Sequence, residues 1–201
     1  LDYHNYEVIK MTKTAAVVFA DGCEEIEGLT VVDVLRRMGV KCDIVGVLGS
    51  EIHGAHQIDF KADKLISDQL LDYDIVAFPG GYGNAQTLRD NDQLMAIMQK
   101  RQSLGKWCAA MCAAPIALAR YGLLDGHDYT CYPGIEKETQ QLAPNGHFKE
   151  ELTVTDQAGH LVTSRGPATA WAYAFAIAEA LGLDTKTIKQ DTLYDYLKEN
   201  I

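Results

Sequence analysis

A chain of 201 residues, 47 % hydrophobic and 23 % charged, can bury a sizeable core and is read as one domain over residues 11–201. Its net charge of -10, from 18 basic against 28 acidic side chains, argues against nucleic acid as a partner, because affinity for a polyanion rests on neutralising phosphates. The longest apolar run, Trp107 to Ala119, is too short to cross a bilayer, and five cysteines in apolar contexts suit a reducing cytoplasm better than a disulfide framework.

The first ten residues, LDYHNYEVIK, are polar and patternless, and they are read as an extension outside the fold, with Met11 as the natural start. A β-rich run follows at Thr14–Ala20, then a helical pattern at Glu24–Arg37. Strand-like runs at Lys41–Leu48 and Asp74–Phe78 lead to a helix at Asn91–Leu104, a strand at Lys106–Met111 and a helix at Ala114–Tyr121. The stretch ELTVTDQAGHLVTSR predicts an antiparallel hairpin turning at Ala158-Gly159, on the margin of the sheet. A helix over Ala168–Leu181 comes next. Asp184 then caps a last helix with Ile188, Leu193 and Leu197 on its inner face. Strands alternating with helices in this way predict a doubly wound, mainly parallel α/β sheet.

In such sheets ligands bind outside the carboxyl ends of the strands, which directs attention to three loops. The first, DGCEEIE, crowds carboxylates into the first turn of a helix. Favourable charge at a helix N-terminus accounts for Glu24 and Glu25. The apolar stripe of that helix runs through Ile26, Leu29, Val32 and Val34–Leu35, so Glu27 lies beside the buried face, and periodicity leaves it open between a solvated and a functional carboxyl. The second loop, FPGGYGN, has glycines at 80, 81 and 83 that bring backbone N–H groups towards a ligand or an oxyanion, without a dinucleotide or Walker pattern.

The third loop lies within KWCAAMCAAPIALA. Pro115 fits the first turn of a helix, so Cys112 sits directly between strand and helix, with Ala110 and Ala114 small enough for a sharp turn. A thiol at that elbow feels the helix N-terminus, which favours the thiolate and lowers its pKa. The alternative is another buried cysteine. Cys108, inside the strand, is expected to be a small buried hydrophobe.

The segments GCEEIE with VVDVLRRMG, YDIVAFPGG, AAMCAAPIAL and LVTSRGPATA occur together, in an order and spacing that resembles the ThiJ/PfpI superfamily over Thr14 to Leu181. The likeness is strongest to its Parkinson-disease deglycase branch with bacterial YajL-type relatives. The resemblance implies a flavodoxin-like α/β sandwich with helices on both faces, usually a homodimer, and no cofactor. It implies that Cys112 is the nucleophilic, oxidisable cysteine and that Glu27 is a protonated carboxyl donating to its sulfur. It also implies an oxyanion site from backbone at Gly80, Gly81 and Ala113, with Ser164 and Arg165 near the pocket.

Three departures from the family pattern matter. Tyr132 stands before Pro133 where human-type members have a histidine, and a tyrosine is a poor general base at neutral pH. Ala113 follows the cysteine where the protease-like branch has histidine, and no His-x-Glu triplet occurs, so peptide hydrolysis is not expected. His56 stands about where the human-type branch carries an arginine that reaches the site across the dimer. It is either a solvated loop residue or an acid–base group for a second subunit. Cys23 is either a buried spectator or a resolving thiol. The scattered histidines show no metal-ligand spacing. The expected function is attack on methylglyoxal, glyoxal or their early adducts by the thiolate of a cofactor-independent enzyme. The alternative is a redox-responsive stress protein or chaperone.

Overall fold

Alternation of side chains along five central strands divides the interior into two cores, one on each face of a single sheet. The computed structural model describes residues 11–201, so the proposed leading extension lies outside the described residues. In chain order the elements are β1 (Thr14–Phe19), α1 (Glu25–Arg37), β2 (Lys41–Gly46), β3 (Glu51–His53), β4 (Asp59–Lys61), β5 (Lys64–Leu65) and β6 (Ile75–Phe78). There follow α2 (Tyr82–Asp90), α3 (Asp92–Ser103), β7 (Trp107–Met111), α4 (Pro115–Arg120), β8 (Asp128–Tyr129), α5 (Glu136–Leu142) and β9 (His147–Phe148). The chain ends with β10 (Thr153–Asp156), β11 (Leu161–Ser164), α6 (Ala170–Ala180), α7 (Lys186–Asp191) and α8 (Tyr194–Glu199).

The seven-stranded sheet runs in the order β10-β11-β7-β6-β1-β2-β5. All its neighbours are parallel except β10 and β11, the expected marginal hairpin, in which Thr153 faces Ser164 and Asp156 faces Leu161. Ala16, Val18, Val76, Phe78, Cys108 and Ala110 pack on one face with residues of α3 and α4. Ala15, Val17, Ile75, Ala77, Ala109 and Met111 pack on the other with α1 and α6. The two-residue period of a strand produces this division, and the strands carry apolar side chains on both parities because both faces are covered. Among the described residues, no helix is long and apolar enough to cross a membrane.

Several expectations need correction. Helix α1 buries Glu25, Glu27 and Gly28, whereas Ile26, placed on the inner stripe by periodicity, is 56 % exposed. The last helix is two short ones, broken at Leu193, whose φ of 61° is left-handed, and both Leu193 and Leu197 face outward. Asp184 does accept the Lys186 amide at 2.9 Å, but the cap position itself is Thr185. Helices α2 and α5 and the β3–β4 hairpin carry too few apolar residues for their pattern to show.

Candidate active site

Cys112 occupies the turn between β7 and α4 with φ 60°, a left-handed conformation that costs an L-residue about 1–2 kcal/mol. Its neighbours hold it there: the Cys112 amide donates to Ser164 O at 3.1 Å, and its carbonyl accepts from the Tyr132 amide at 2.9 Å. Of the five cysteines it alone is partly exposed; Cys23, Cys42, Cys108 and Cys131 are buried.

Glu27 enters from α1. Glu24 caps that helix, its side chain accepting the Glu27 amide at 3.0 Å, and Glu24 N–H in turn donates to Gly80 O at 3.0 Å. This lacing brings the Glu27 carboxyl under the glycine loop, where Oε2 accepts the Gly80 amide at 2.6 Å. The carboxyl lies against the Cys112 thiol, and its buried Oε1 has no hydrogen-bond partner among the described residues. A Cβ on Gly80 would stand 2.5 Å from Glu27 Oε2 and 2.6 Å from Cys112 Cβ, so glycine is the residue that lets the two side chains meet. Since its amide is committed to Glu27, Gly80 is not free to serve an oxyanion, contrary to the sequence reading. Gly81 and Ala113 do direct N–H groups to the sulfur.

Burial pushes the Glu27 carboxyl up to about 7, against the opposing hydrogen bonds from Cys112 and Gly80. The thiol is also pushed up, by burial and then by the Glu27 charge, against the pull of the Ala113 and Gly81 amides. The helix N-terminus therefore does not by itself make Cys112 a thiolate, as the sequence suggested. The two groups titrate as a pair: once one proton leaves, a single proton is shared between oxygen and sulfur, and the thiolate is the form in which Glu27 holds it.

The other predicted residues divide. Tyr132 and Arg165 line an open groove of about 650 Å³ together with Pro133, Leu152 and Pro167. Ser164 does not face it: buried, its hydroxyl donates to Leu152 O at 2.7 Å and meets Thr169 Oγ1 at 2.7 Å, which closes the end of β11. His56 is exposed, yet its Nδ1 lies 2.8 Å from Glu25 Oε2 and its amide donates to Glu25 Oε1 at 2.6 Å. Glu25 is thus buried and paired, beyond the simple helix-end charge expected of it. Burial opposes ionisation, but the two hydrogen bonds from His56 hold the Glu25 carboxyl below its ordinary range. Glu24, Glu25 and His56 bring metal-type donors within 4.8 Å of one another, a convergence no sequence spacing displayed, and the His56–Glu25 pair satisfies it without an ion. Cys23 is fully buried, and burial followed by the Glu25 charge pushes its thiol up to about 12, which opposes a resolving role.

Sequence reasoning passed over Asn84, although it ends the quoted glycine segment. Fully buried, its Oδ1 accepts the Ala20 amide at 2.7 Å and its amide donates to Pro79 O at 2.8 Å, joining the end of β1 to the glycine loop. Tyr173, whose hydroxyl donates to Phe78 O at 3.4 Å, was likewise hidden in an apolar helix.

A flavodoxin-like sandwich with a strained cysteine at the third strand end and a buried carboxyl beside its sulfur defines a class of cysteine-elbow proteins. The DJ-1/PfpI family model matches residues 13–180, and the chain belongs to that family. It is 35 % identical over 173 residues to protein dj-1beta of Drosophila melanogaster, covering 85 % of this chain and 90 % of that protein. It is 31 % identical over 172 residues to the Parkinson disease protein 7 homolog of Danio rerio, covering 84 % and 89 %. The crystal structure of Drosophila melanogaster DJ-1beta superposes with a TM-score of 0.81 at 31 % identity, over 93 % of this chain and 98 % of that one. Oxidized Toxoplasma gondii DJ-1 superposes with a TM-score of 0.80 at 30 % identity, over 92 % and 98 %.

Proposed function

We propose that this DJ-1-type protein is a cofactor-independent cysteine enzyme of reactive-carbonyl defence in a reducing cytoplasm, converting methylglyoxal or glyoxal, or their early adducts. The observation that carries the reading is the Cys112–Glu27 pair: a partly exposed thiol in a strained turn, beside a buried carboxyl raised to about 7. The thiolate attacks the aldehyde carbon, a C–S bond forms, and the carbonyl electron pair moves to oxygen, where Gly81 and Ala113 N–H groups stabilise it and Glu27 supplies the proton. The Glu27 carboxylate then removes the proton from that carbon and returns it to the adjacent carbon, while the hydroxyl proton passes from the first oxygen to the second. The aldehyde carbon is thereby oxidised to a thioester as its neighbour is reduced to an alcohol. Water cleaves the thioester to lactate and frees the thiol, so no external oxidant is needed. Tyr132 in place of histidine supplies no strong base, and turnover is expected to be slow.

The test is glutathione-free conversion of methylglyoxal, with lactate identified as product, by the reduced protein and by Cys112→Ala. Cysteine-dependent lactate formation supports the enzyme. Equal loss of aldehyde in both, or loss without lactate, rejects it.

The exposure of Cys112 alone among five thiols favours a second reading, a redox-responsive stress protein or chaperone. Peroxide would transfer one oxygen to the Cys112 thiolate and leave as water, the sulfur becoming a sulfenate held by the Gly81 and Ala113 amides. Mass spectrometry after mild peroxide must then show Cys112 oxidised ahead of the rest; equal oxidation disposes of the idea. A homodimer belongs to the same proposal. It is supported by exposed Ile26 on α1 and tested by sedimentation of Ile26→Lys.

A further inference from the structure

The groove beside the elbow has no role in the chemistry just described, yet both its walls are tied to Cys112. Tyr132 donates its amide to the Cys112 carbonyl, and Arg165 follows Ser164, whose carbonyl takes the Cys112 amide. At about 650 Å³ the groove is of a size that holds a whole organic ligand, far beyond the needs of a three-carbon aldehyde. Its floor is apolar, with Tyr132, 47 % exposed, beside Pro133, Leu152 and Pro167.

Among the described residues, one cation lines it. Arg165 is held by Nε donating to Cys131 O at 3.0 Å and by its backbone amide donating to Thr169 Oγ1 at 3.2 Å. Its outer nitrogen Nη1 lies 3.5 Å from Glu150 Oε1, and the Glu150 side chain is 79 % exposed. A long ion pair to so exposed a partner contributes little, whereas a fixed guanidinium fork grips an incoming carboxylate in two bonds. Glu150 thus brings a carboxylate to the outer end of the guanidinium, the side open to the groove. Glu151, also on the lining, disfavours ligands of higher negative charge.

We propose that this groove is a carboxylate-binding subsite, with Arg165 anchoring the acid end of a ligand, Tyr132 and the two prolines carrying its apolar body, and Glu150 yielding its place. Resting on the carbonyl-enzyme reading, the substrate class it implies is a 2-oxoaldehyde whose far end bears a carboxylate.

Two measurements test this, and the first needs no catalysis. Phenylacetate and its neutral analogue phenylacetamide are titrated into Cys112→Ala protein, following the Arg165 Nε–H and Tyr132 signals by NMR. The acid is expected to bind about tenfold more tightly than the amide, as a charge-assisted contact requires. Glu150→Gln in the same background tightens the acid about threefold by removing the competitor. Arg165→Gln abolishes the preference. Equal binding of acid and amide, or weaker acid binding in Glu150→Gln, overturns the subsite. The second measurement is the ratio of kcat/KM for 4,5-dioxopentanoate over methylglyoxal. It should exceed one and fall about tenfold in Arg165→Gln. A ratio of one or less with methylglyoxal turned over rejects the substrate class. Inactivity on both aldehydes rejects the enzyme, while the titration still decides the subsite.

Discussion

Glu27 and Gly80 meet through a 2.6 Å hydrogen bond that commits one carboxyl oxygen to the backbone and leaves the other buried beside the Cys112 elbow with no hydrogen-bond partner among the described residues. A carboxylate so placed is costly, which is why its pKa stands near 7 instead of the ordinary 4.5.

Stability must follow. A pKa raised on folding means that the native state binds the proton more tightly than the unfolded chain. The associated stability is fully present below about pH 4.5 and is lost as pH rises through about 7. Integrated over that window the loss is about 3 kcal/mol. Glu27→Gln cannot titrate, so urea denaturation of the two proteins at pH 4.5 and pH 8 isolates the effect. The variant should gain on the wild type by that amount at the higher pH. A difference that does not change with pH would show that Glu27 is ionised throughout.

Gly80→Ala tests the contact geometrically. The added methyl would lie within 2.6 Å of both partners, and neither can retreat, since Glu27 is anchored through α1 and Cys112 through β11 and Tyr132. Overpacking of this kind costs about 1–3 kcal/mol, and because Glu27 pushes the thiol up, separation of the pair should raise the iodoacetamide reactivity of Cys112 at pH 7 several-fold. Wild-type reactivity in the variant would mean that the carboxyl does not govern the thiol.

The sequence disclosed these partners unequally. Cys112 was legible because Pro115 and small flanking residues define a strand-to-helix turn locally. Glu27 was not. Helical periodicity put Ile26 inside, and only the family likeness singled out the carboxyl. The inversion arises at long range: the β3–β4 hairpin covers Glu25 through His56, the glycine loop covers Glu27, and Ile26 is left outside. The break at Leu193 was invisible for a different reason, since a single left-handed residue leaves the apolar spacing of a helix unchanged. The central strands were plain because each is apolar on both parities and short enough to exclude a helix.

The strain at Cys112 gives a third expectation. Alanine at this position keeps the left-handed φ of 60°, whereas glycine adopts it freely and loses part of the gain to greater freedom in the unfolded chain. Cys112→Gly should therefore be more stable than Cys112→Ala by up to about 1 kcal/mol in urea denaturation. An alanine variant as stable as the glycine one would show that the elbow relaxes on losing the thiol.

Arg101 supports the sheet from its other end. Completely buried, it meets no carboxylate among its hydrogen-bond partners within the described residues; Nη1 donates to Leu70 O at 2.6 Å and Tyr73 O at 2.7 Å, and Nη2 to Trp107 O at 2.8 Å. Burial pulls its pKa down, and the three carbonyls compensate by receiving its protons. The guanidinium also lies beside Cys108, whose thiol rises only to about 11 although it is fully buried, below the value of about 12 at Cys23, Cys42 and Cys131. Arg101→Met fills the space and orphans all three carbonyls at once, a loss of about 4 kcal/mol. Arg101→Lys returns the charge but reaches fewer of them, and should recover part of the loss. If urea denaturation gave less than about 1 kcal/mol for the methionine variant, the loop after Leu70 would have to rehydrate without disturbing β6 and β7, and the arginine would be filler, not a strut.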